Sequence, residues 1–321
     1  MDIKPHSYTN NIINQKVLLV GVFPPPLGGI AVHLQRVARQ LEAQGCKVWC
    51  WDVVASHYWR LVKFVLKKRP EVIIYHTMQL RRVPLELLLL LLASKLLDSK
   101  LVVVIHSSRF VSRMSWLNGK ITSWLLRFCS QIVLVSEQLE GQLRPKITLL
   151  SNKISVESPF LPPRLAQRDA ILSQTPCDLK QFLSRHSPII TVSITRLDLY
   201  QGQDLYGTDL AIKAFEQLLQ ELPNAGLLIV LGNANGQKLE LGKSSYLLSE
   251  CAYEMWPLIG LSDLFIRPTR SDCNAISVME ALYLHVPVVA SDVCIRPAGV
   301  VLFRSGDASD LYEKMKAVLL R

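Results

Sequence analysis

The sequence predicts an α/β protein made of two doubly wound, Rossmann-like domains facing a central cleft. Three observations predict it. The 321 residues are 50% hydrophobic, enough apolar material for two ordinary cores. Each half alternates near-continuous Val/Ile/Leu runs with helical stretches, the pattern of parallel strands covered on both faces. Between the halves lies turn-rich punctuation at Pro159, Pro162, Pro163, Pro176 and Pro188. The expected division is an acceptor-side domain over 1–160, a linker region over 161–187 with a hinge at 160–164, and a donor-binding domain over 188–321.

In the first half the strand candidates are 17–22, 47–53, 71–76, 101–106 and 131–136. A first helix carries Ile30, Leu34, Val37 and Leu41 at spacings of four, three and four, and stops at Gly45. The segment 58–69 reads as a basic amphipathic helix, with Arg60, Lys63, Lys67, Lys68 and Arg69 among Trp59, Leu61, Phe64 and Val65. Arg81 and Arg82 precede a leucine-rich run at 87–93. Glu86 and Lys95 bracket that run, which falls well short of the roughly 20 apolar residues a spanning helix needs. It reads as a buried helix or a membrane-facing patch.

In the second half, strands are expected at 189–195, 227–231, 264–267, 287–290 and 300–303, with helices at 208–222, 275–284 and 307–320. The span 232–263 shows no clear extra strand before Trp256.

Charge and cysteines narrow the function classes. The net charge of +10 is one-sided: residues 1–160 hold 21 Lys+Arg against 9 Asp+Glu (+12), and residues 161–321 hold 15 against 17 (−2). An anionic partner of the first half, or a merely solvated basic face, accounts for that bias. Nucleic acid is disfavoured, because no recognised nucleic-acid module is present. The cysteines Cys46, Cys50, Cys129, Cys177, Cys251, Cys273 and Cys294 are odd in number and lack metal-type spacing, as expected of a reducing cytosol. No secretory signal pattern opens the sequence.

Two segments carry chemistry. Pro24-Pro25-Pro26-Leu27-Gly28-Gly29 lies between the first strand and first helix, where adjacent glycines admit close backbone approach and a helix N-terminus attracts phosphate. It is not the dinucleotide fingerprint G-x-G-x-x-G. The second segment is 263–292, in which Asp272 lies just before a helix and Glu280 lies within it. Carboxylates accept hydrogen bonds from sugar hydroxyls, and the amides of Asn274, Ala275, Ile276 and Ser277 are placed to receive phosphates. Taken alone, Asp272 could equally be a helix cap. Glu280, flanked by Ile276, Met279 and Leu282 to Leu284, is expected to be half-buried.

Together these segments resemble the retaining glycosyltransferases of family 4, which have the GT-B fold. That family places an acidic residue, seven residues, Glu, an Ala-Leu or Ala-Met pair, and then a Pro-Val-Val-Ala-Ser/Thr strand. Here these are Asp272, Glu280, Ala281-Leu282 and Pro287-Val288-Val289-Ala290-Ser291. The Pro-Pro-x-Gly-Gly turn matches the family's opening. The resemblance implies that Glu280 binds the donor ribose, Asp272 contacts the transferring sugar, and Gly28 and Gly29 approach the sugar and diphosphate. It also implies that His106 lines the donor-sugar pocket, with His76 a weaker candidate near the acceptor. Arg196 would grip the diphosphate. A lysine that the family carries just before a glycine is replaced here by Tyr206, before Gly207. The chain ends soon after 307–320, so the family's closing helix is not expected.

The expected activity is therefore a hexosyltransferase-type transfer from a nucleotide-sugar donor. No cofactor is implied, and no metal, since neither a D-x-D pair nor a His/carboxylate cluster stands out. The expected acceptor is a lipid-linked saccharide or oligosaccharide of surface-polysaccharide assembly. The expected location is cytoplasmic, peripheral at an anionic inner membrane face, with Arg60, Lys63, Lys67 and Lys68 on the membrane or acceptor side. The competing expectation is an inactive relative that binds nucleotide sugar or acts as a scaffold.

Overall fold

A computed structural model describes residues 7–24, 28–53, 58–77, 83–106, 116–143, 152–233, 239, 241–249 and 253–320. Pro25, Pro26, Leu27, Arg81, Arg82 and Cys251 lie outside the described residues. The chain forms two compact units. One runs to Pro24 and resumes over Ile30–Leu161; the other comprises Pro162–Arg321, with Gly28 and Gly29 grouped with it.

The first unit is built on β1 (Lys16–Gly21), β2 (Lys47–Asp52), β3 (Val72–Thr77), β4 (Lys100–Ile105), β5 (Gln131–Leu134) and β6 (Ile154–Val156). They form one parallel sheet in the order β2-β1-β3-β4-β5-β6. β1, β3 and β4 are buried almost throughout, which explains their unbroken apolar sequences. The helices are α1 (Ser7–Asn10), α2 (Gly29–Ala43), α3 (Tyr58–Lys68), α4 (Val83–Leu97), α5 (Trp116–Leu126) and α6 (Glu137–Leu143). α2 buries Leu34, Val37 and Leu41 completely. It ends where Gly45 takes the left-handed conformation at φ +79°, the freedom the sequence reading assigned to it.

α4 packs between α3 and α5. The leucine-rich run proves two-faced. Val83, Leu87, Leu90 and Leu91 are buried, and Leu85, Leu88, Leu92 and Leu96 are 40–73% exposed. Among the described residues no helix is long and apolar enough to cross a membrane.

The second unit contains a 3₁₀ turn at Leu165–Gln167, then α7 (Arg168–Ser173), α8 (Cys177–Arg185) and β7 (Ile189–Arg196). The hairpin β8 (Leu199–Tyr200) and β9 (Gln203–Asp204) leads to α9 (Thr208–Leu218) and β10 (Gly226–Asn233). There follow β11 (Ser245–Ser249), α10 (Trp256–Ile259), β12 (Leu264–Arg267), α11 (Ile276–Tyr283), β13 (Val288–Ser291), β14 (Val300–Phe303) and α12 (Ala308–Leu319). The sheet is parallel in the order β11-β10-β7-β12-β13-β14. One core joins Ile190, Val192, Ile229 and Ile266 of the strands to Phe215 and Leu218 of α9 and to Leu311 and Met315 of α12.

Two expectations change here. The span before Trp256 does hold an extra strand, β11, paired in parallel with β10. Its sequence, Ser-Tyr-Leu-Leu-Ser, is a half-buried sheet edge without the long apolar run of a central strand. The region 161–187, read as a linker, carries helical structure, and Leu179 and Phe182 of α8 pack with Leu228 and Leu248 of the second sheet.

The strand orders locate the ligand-binding ends. In the second sheet the chain moves outward from β7 to β10 and β11, then returns to the other side at β12. The switch point therefore lies between β7 and β12, and open α/β sheets bind ligands beyond the strands' carboxyl ends there. In the first sheet the same reversal falls between β1 and β3.

Candidate active site

The second sheet and its loops carry half of the residues the sequence singles out. β7 ends in Arg196, whose guanidinium is 58% exposed and whose Nε donates to Asp198 Oδ2 at 2.7 Å. The residues inserted between Arg196 and Tyr206 form the β8–β9 hairpin. Tyr206 follows it, with its backbone N–H donating to Asp204 Oδ1 at 2.9 Å. Gly207 comes next at φ +66°; a Cβ there would sit 1.9 Å from the Pro268 carbonyl oxygen. Glycine is thus what lets the turn of Tyr206 press against the end of β12. Across the switch point, Arg267 ends β12, and its guanidinium lies over the Tyr206 ring, 5.4 Å from the centroid.

Asp272 lies between two arginines. Its Oδ2 accepts from Arg267 Nε at 3.1 Å and from Arg296 NH1 at 2.8 Å, and its Oδ1 accepts from Arg267 NH2 at 3.3 Å. Thr269 Oγ1 adds a contact at 3.3 Å. The carboxylate is 11% exposed. Burial alone would raise its pKa, but the two guanidiniums outweigh burial and hold it at about 2. Both oxygens accept from arginines, so any hydroxyl that Asp272 meets shares it with two guanidiniums. The same attraction raises the pKa of Arg267 against the opposing effect of burial.

α11 begins at Ile276 with Ala275 as its N-cap in an extended conformation, and Ala275 has no side-chain acceptor to offer the first turn. Ser277 lies in that turn and accepts from Ser193 Oγ at 3.2 Å, which ties α11 to β7. Asn274 immediately precedes the N-cap. Glu280 is 3% exposed, more deeply buried than expected, on the same helix.

The first unit carries a second constellation at its own switch point. His76 lies in β3 and His106 directly follows β4, with His76 Nδ1 and His106 Nε2 2.8 Å apart, one of them carrying the shared proton. His33 of α2 joins them at ring-centroid distances of 5.4 Å from both. All three imidazoles are buried, and one nitrogen from each falls within 4.8 Å of the others. Tyr8 Oη lies 3.2 Å from His33 Nε2. The sequence reading found no such cluster, because its members are far apart in the chain. The hydrogen bond between His76 and His106 engages one nitrogen of each ring, so the trio is a hydrogen-bonded imidazole group before it is a metal site. Gly28 and Gly29 stand at the N-terminus of α2. Arg60, Lys63, Lys67 and Lys68 lie on α3, away from the strand-end residues in sequence; the first two place their cations over the Trp59 ring.

Residues 194–321 match the model of the family described as glycosyl transferases group 1. The matched segment is less than half of the chain. It holds Arg196, Tyr206, Arg267, Asp272, Glu280 and Arg296. The whole chain has the GT-B fold, by likeness to solved structures. HepE of Anabaena, solved in complex with UDP and glucose, is 15% identical with a TM-score of 0.64, covering 94% of this chain and 89% of that one. Sucrose-phosphate synthase of Thermosynechococcus elongatus is 15% identical at 0.68, covering 95% and 90%. The α,α-trehalose 6-phosphate synthase of Burkholderia multivorans is 13% identical at 0.65, covering 95% and 91%. No curated protein sequence matches significantly.

Arg267, Arg296 and His33 are site residues that sequence reasoning missed. Arg267 reads as the end of a strand and Arg296 as part of a loop. Only the fold brings both onto Asp272.

Proposed function

We propose that this protein is a retaining glycosyltransferase that moves a sugar from a nucleotide-sugar donor to a saccharide acceptor. The observation that carries this reading is the cationic end of the β7–β12 switch point, lying inside the segment that matches glycosyl transferases group 1. Guanidiniums there suit a diphosphate, in the ground state and as a leaving group. Buried Glu280 suits the ribose, the amides of Asn274 to Ser277 and the turn at Gly28 and Gly29 suit phosphates, and His106 suits the donor sugar. With retention, the departing diphosphate oxygen takes the acceptor's proton on the face from which the sugar leaves. In this reading guanidiniums hold the departing charge, so it invokes no metal, and the nucleotide sugar is a substrate and not a cofactor.

A second reading, a nucleotide-sugar-binding relative without turnover, is favoured by two observations. Arg196 is paired with Asp198, and no lysine stands at position 206. Thermal shifts with a panel of nucleotide sugars, followed by hydrolysis and transfer assays, separate the readings. Stabilisation with transfer supports the enzyme, and stabilisation without hydrolysis or transfer supports the binding relative. No stabilisation by any nucleotide sugar would sink both.

The acceptor is proposed to be lipid-linked, as in surface-polysaccharide assembly, and met at the cytoplasmic face of an anionic membrane. Two adjacent helices support this. α4 presents Leu85, Leu88, Leu92 and Leu96 in one stripe. α5 and its following turn present Ile121, Trp124 and Phe128 in another, 39–54% exposed. Single exposed apolar residues are ordinary, but two neighbouring stripes are not. Lys95, Lys120 and Arg127 on these elements and the four cations of α3 supply the complementary charge.

A further inference from the structure

We propose that Arg267 is the second diphosphate-binding cation of this protein, taking the role of the lysine that Tyr206 displaces. The inference rests on the sugar-transfer reading and names a residue that reading does not supply.

Position comes first. Arg267 is the last residue of β12, on the flank of the switch point opposite Arg196 of β7. Its NH1 donates to the Ser193 carbonyl at 3.1 Å, which spans the two strands. Gly207 brings Tyr206 against the end of β12, and the Arg267 guanidinium then lies over the phenol ring. The cation therefore occupies the neighbourhood of residue 206, and an aromatic face holds it there. An arginine arriving from the adjacent strand restores what a lysine at 206 would have brought.

Charge comes second. Arg267 and Arg296 share the single carboxylate of Asp272. Asp209 is engaged with Arg270, in a two-pronged pair at 2.7 and 2.8 Å. The remaining titratable groups acting on Arg267 are the Tyr206 phenol and the Cys294 thiol. Burial pushes Cys294 up to about 11, so the thiol is neutral at pH 7. The group thus carries a surplus positive charge in a largely dry setting, and such a charge is costly unless an anion joins it. A diphosphate is an anion of that kind.

Access decides which arginine meets it. Arg296 is 2% exposed, with its nitrogens bonded to Asp272, the Ser291 carbonyl and hydroxyls. Arg267 is 12% exposed; like Arg296 it makes four hydrogen bonds, to both Asp272 oxygens and to the Ser193 carbonyl and hydroxyl, and keeps one of its five N–H donors, so its greater exposure is what distinguishes it. Arg296 is then the anchor, Asp272 the clamp that fixes the plane of the guanidinium, and Arg267 the contact. Removing Arg267 leaves Asp272 and Arg296 as a one-to-one pair, so Arg267→Met is expected to fold.

The test compares affinities for UDP, GDP and ADP with those for uridine, guanosine and adenosine, by calorimetry at fixed salt. In Arg267→Met, the diphosphate that wild type binds should bind 10- to 100-fold more weakly, while its nucleoside binds as before. Arg267→Lys should recover most of the lost affinity. Diphosphate affinity within twofold of wild type in folded Arg267→Met overturns the proposal, as does an equal loss for nucleoside and diphosphate. If Arg267→Met does not fold, Arg267→Lys and Tyr206→Lys decide. A lysine at 206 that strengthens diphosphate binding threefold or more shows an unfilled cation position and overturns the proposal, whereas a smaller gain supports it. Wild type that binds none of the six probes would instead bring down the sugar-transfer reading, and this inference with it.

Discussion

Arg267 grips Asp272 through two hydrogen bonds, Nε to Oδ2 at 3.1 Å and NH2 to Oδ1 at 3.3 Å. The fork joins the end of a central strand to the loop that leads into α11. Arg296 completes it from the far side of β13.

Asp272→Asn would leave two buried guanidiniums without their shared anion. The variant should lose about 3–5 kcal/mol at pH 7 in urea denaturation. The sign of the pH dependence follows from the carboxyl's lowered pKa of about 2. The stabilisation from its ionised form is complete above the unfolded-state value near 3.8 and is lost as pH falls through the folded-state value. The gap between wild type and variant should therefore narrow by about 1.4 kcal/mol per pH unit below pH 4, about 2 kcal/mol in all. A gap independent of pH from 7 down to 3 would mean the ionised carboxylate is not what stabilises the loop.

How much of this could be read from sequence depends on what each element displays. The strands 264–267 and 300–303 were legible to the residue, because parallel strands between helical layers show as apolar runs bounded by polar turns. β11 escaped because three apolar residues between two serines at a sheet edge make no run. Arg196, Tyr206, Asp272 and Glu280 are singled out in the sequence by an ordered pattern along the chain. Arg267, Arg296 and His33 are not, because Arg267 meets Ser193 and Tyr206, Arg296 meets Asp272, and His33 meets His76 and His106 only in the folded chain. His33, His76 and His106 come from three different elements, and only the β1-β3-β4 arrangement gathers them. The pairing state of Asp272 was equally hidden, since a carboxylate before a helix looks the same in sequence whether it faces solvent, a sugar or two arginines.

Arg196 and Glu280 should fail differently. The Arg196 guanidinium is largely exposed and held by Asp198, so its removal disturbs little packing. Arg196→Ala should lower kcat by about 10- to 100-fold through lost stabilisation of the departing diphosphate, with a smaller change in KM. Glu280 is buried on α11, and Glu280→Gln keeps its shape while removing its charge. That variant should raise the Kd for the nucleoside as well as for the diphosphate, about 10-fold or more. Unchanged nucleoside affinity would remove Glu280 from the ribose site.

His76 is expected to act through His106. The 2.8 Å bond between them fixes the ring orientation of His106 and couples its tautomer to that of His76. His76→Leu should therefore lower turnover with the nucleotide sugar about 10-fold while leaving nucleoside diphosphate affinity within twofold. His76→Gln, which keeps a hydrogen-bonding group there, should restore part of the activity. Dialysis against a chelator should leave wild-type turnover unchanged. A loss that zinc restores would instead make the three imidazoles a metal centre.

Membrane attachment should separate into an electrostatic and an apolar part. The cations of α3, with Lys95, Lys120 and Arg127, act only on anionic vesicles, and raising salt from 0.1 to 0.5 M should weaken that part strongly. The stripes on α4 and α5 act through burial, which salt does not screen. Flotation with phosphatidylserine-containing vesicles should therefore show binding that high salt reduces but does not abolish. Leu92→Ser, Leu96→Ser and Trp124→Ser combined remove side chains that are 54–73% exposed, so the fold should hold while partitioning falls at least 10-fold at either salt. Wild-type partitioning in that triple variant would mean the protein meets lipid by charge alone, and that the stripes on α4 and α5 serve another contact.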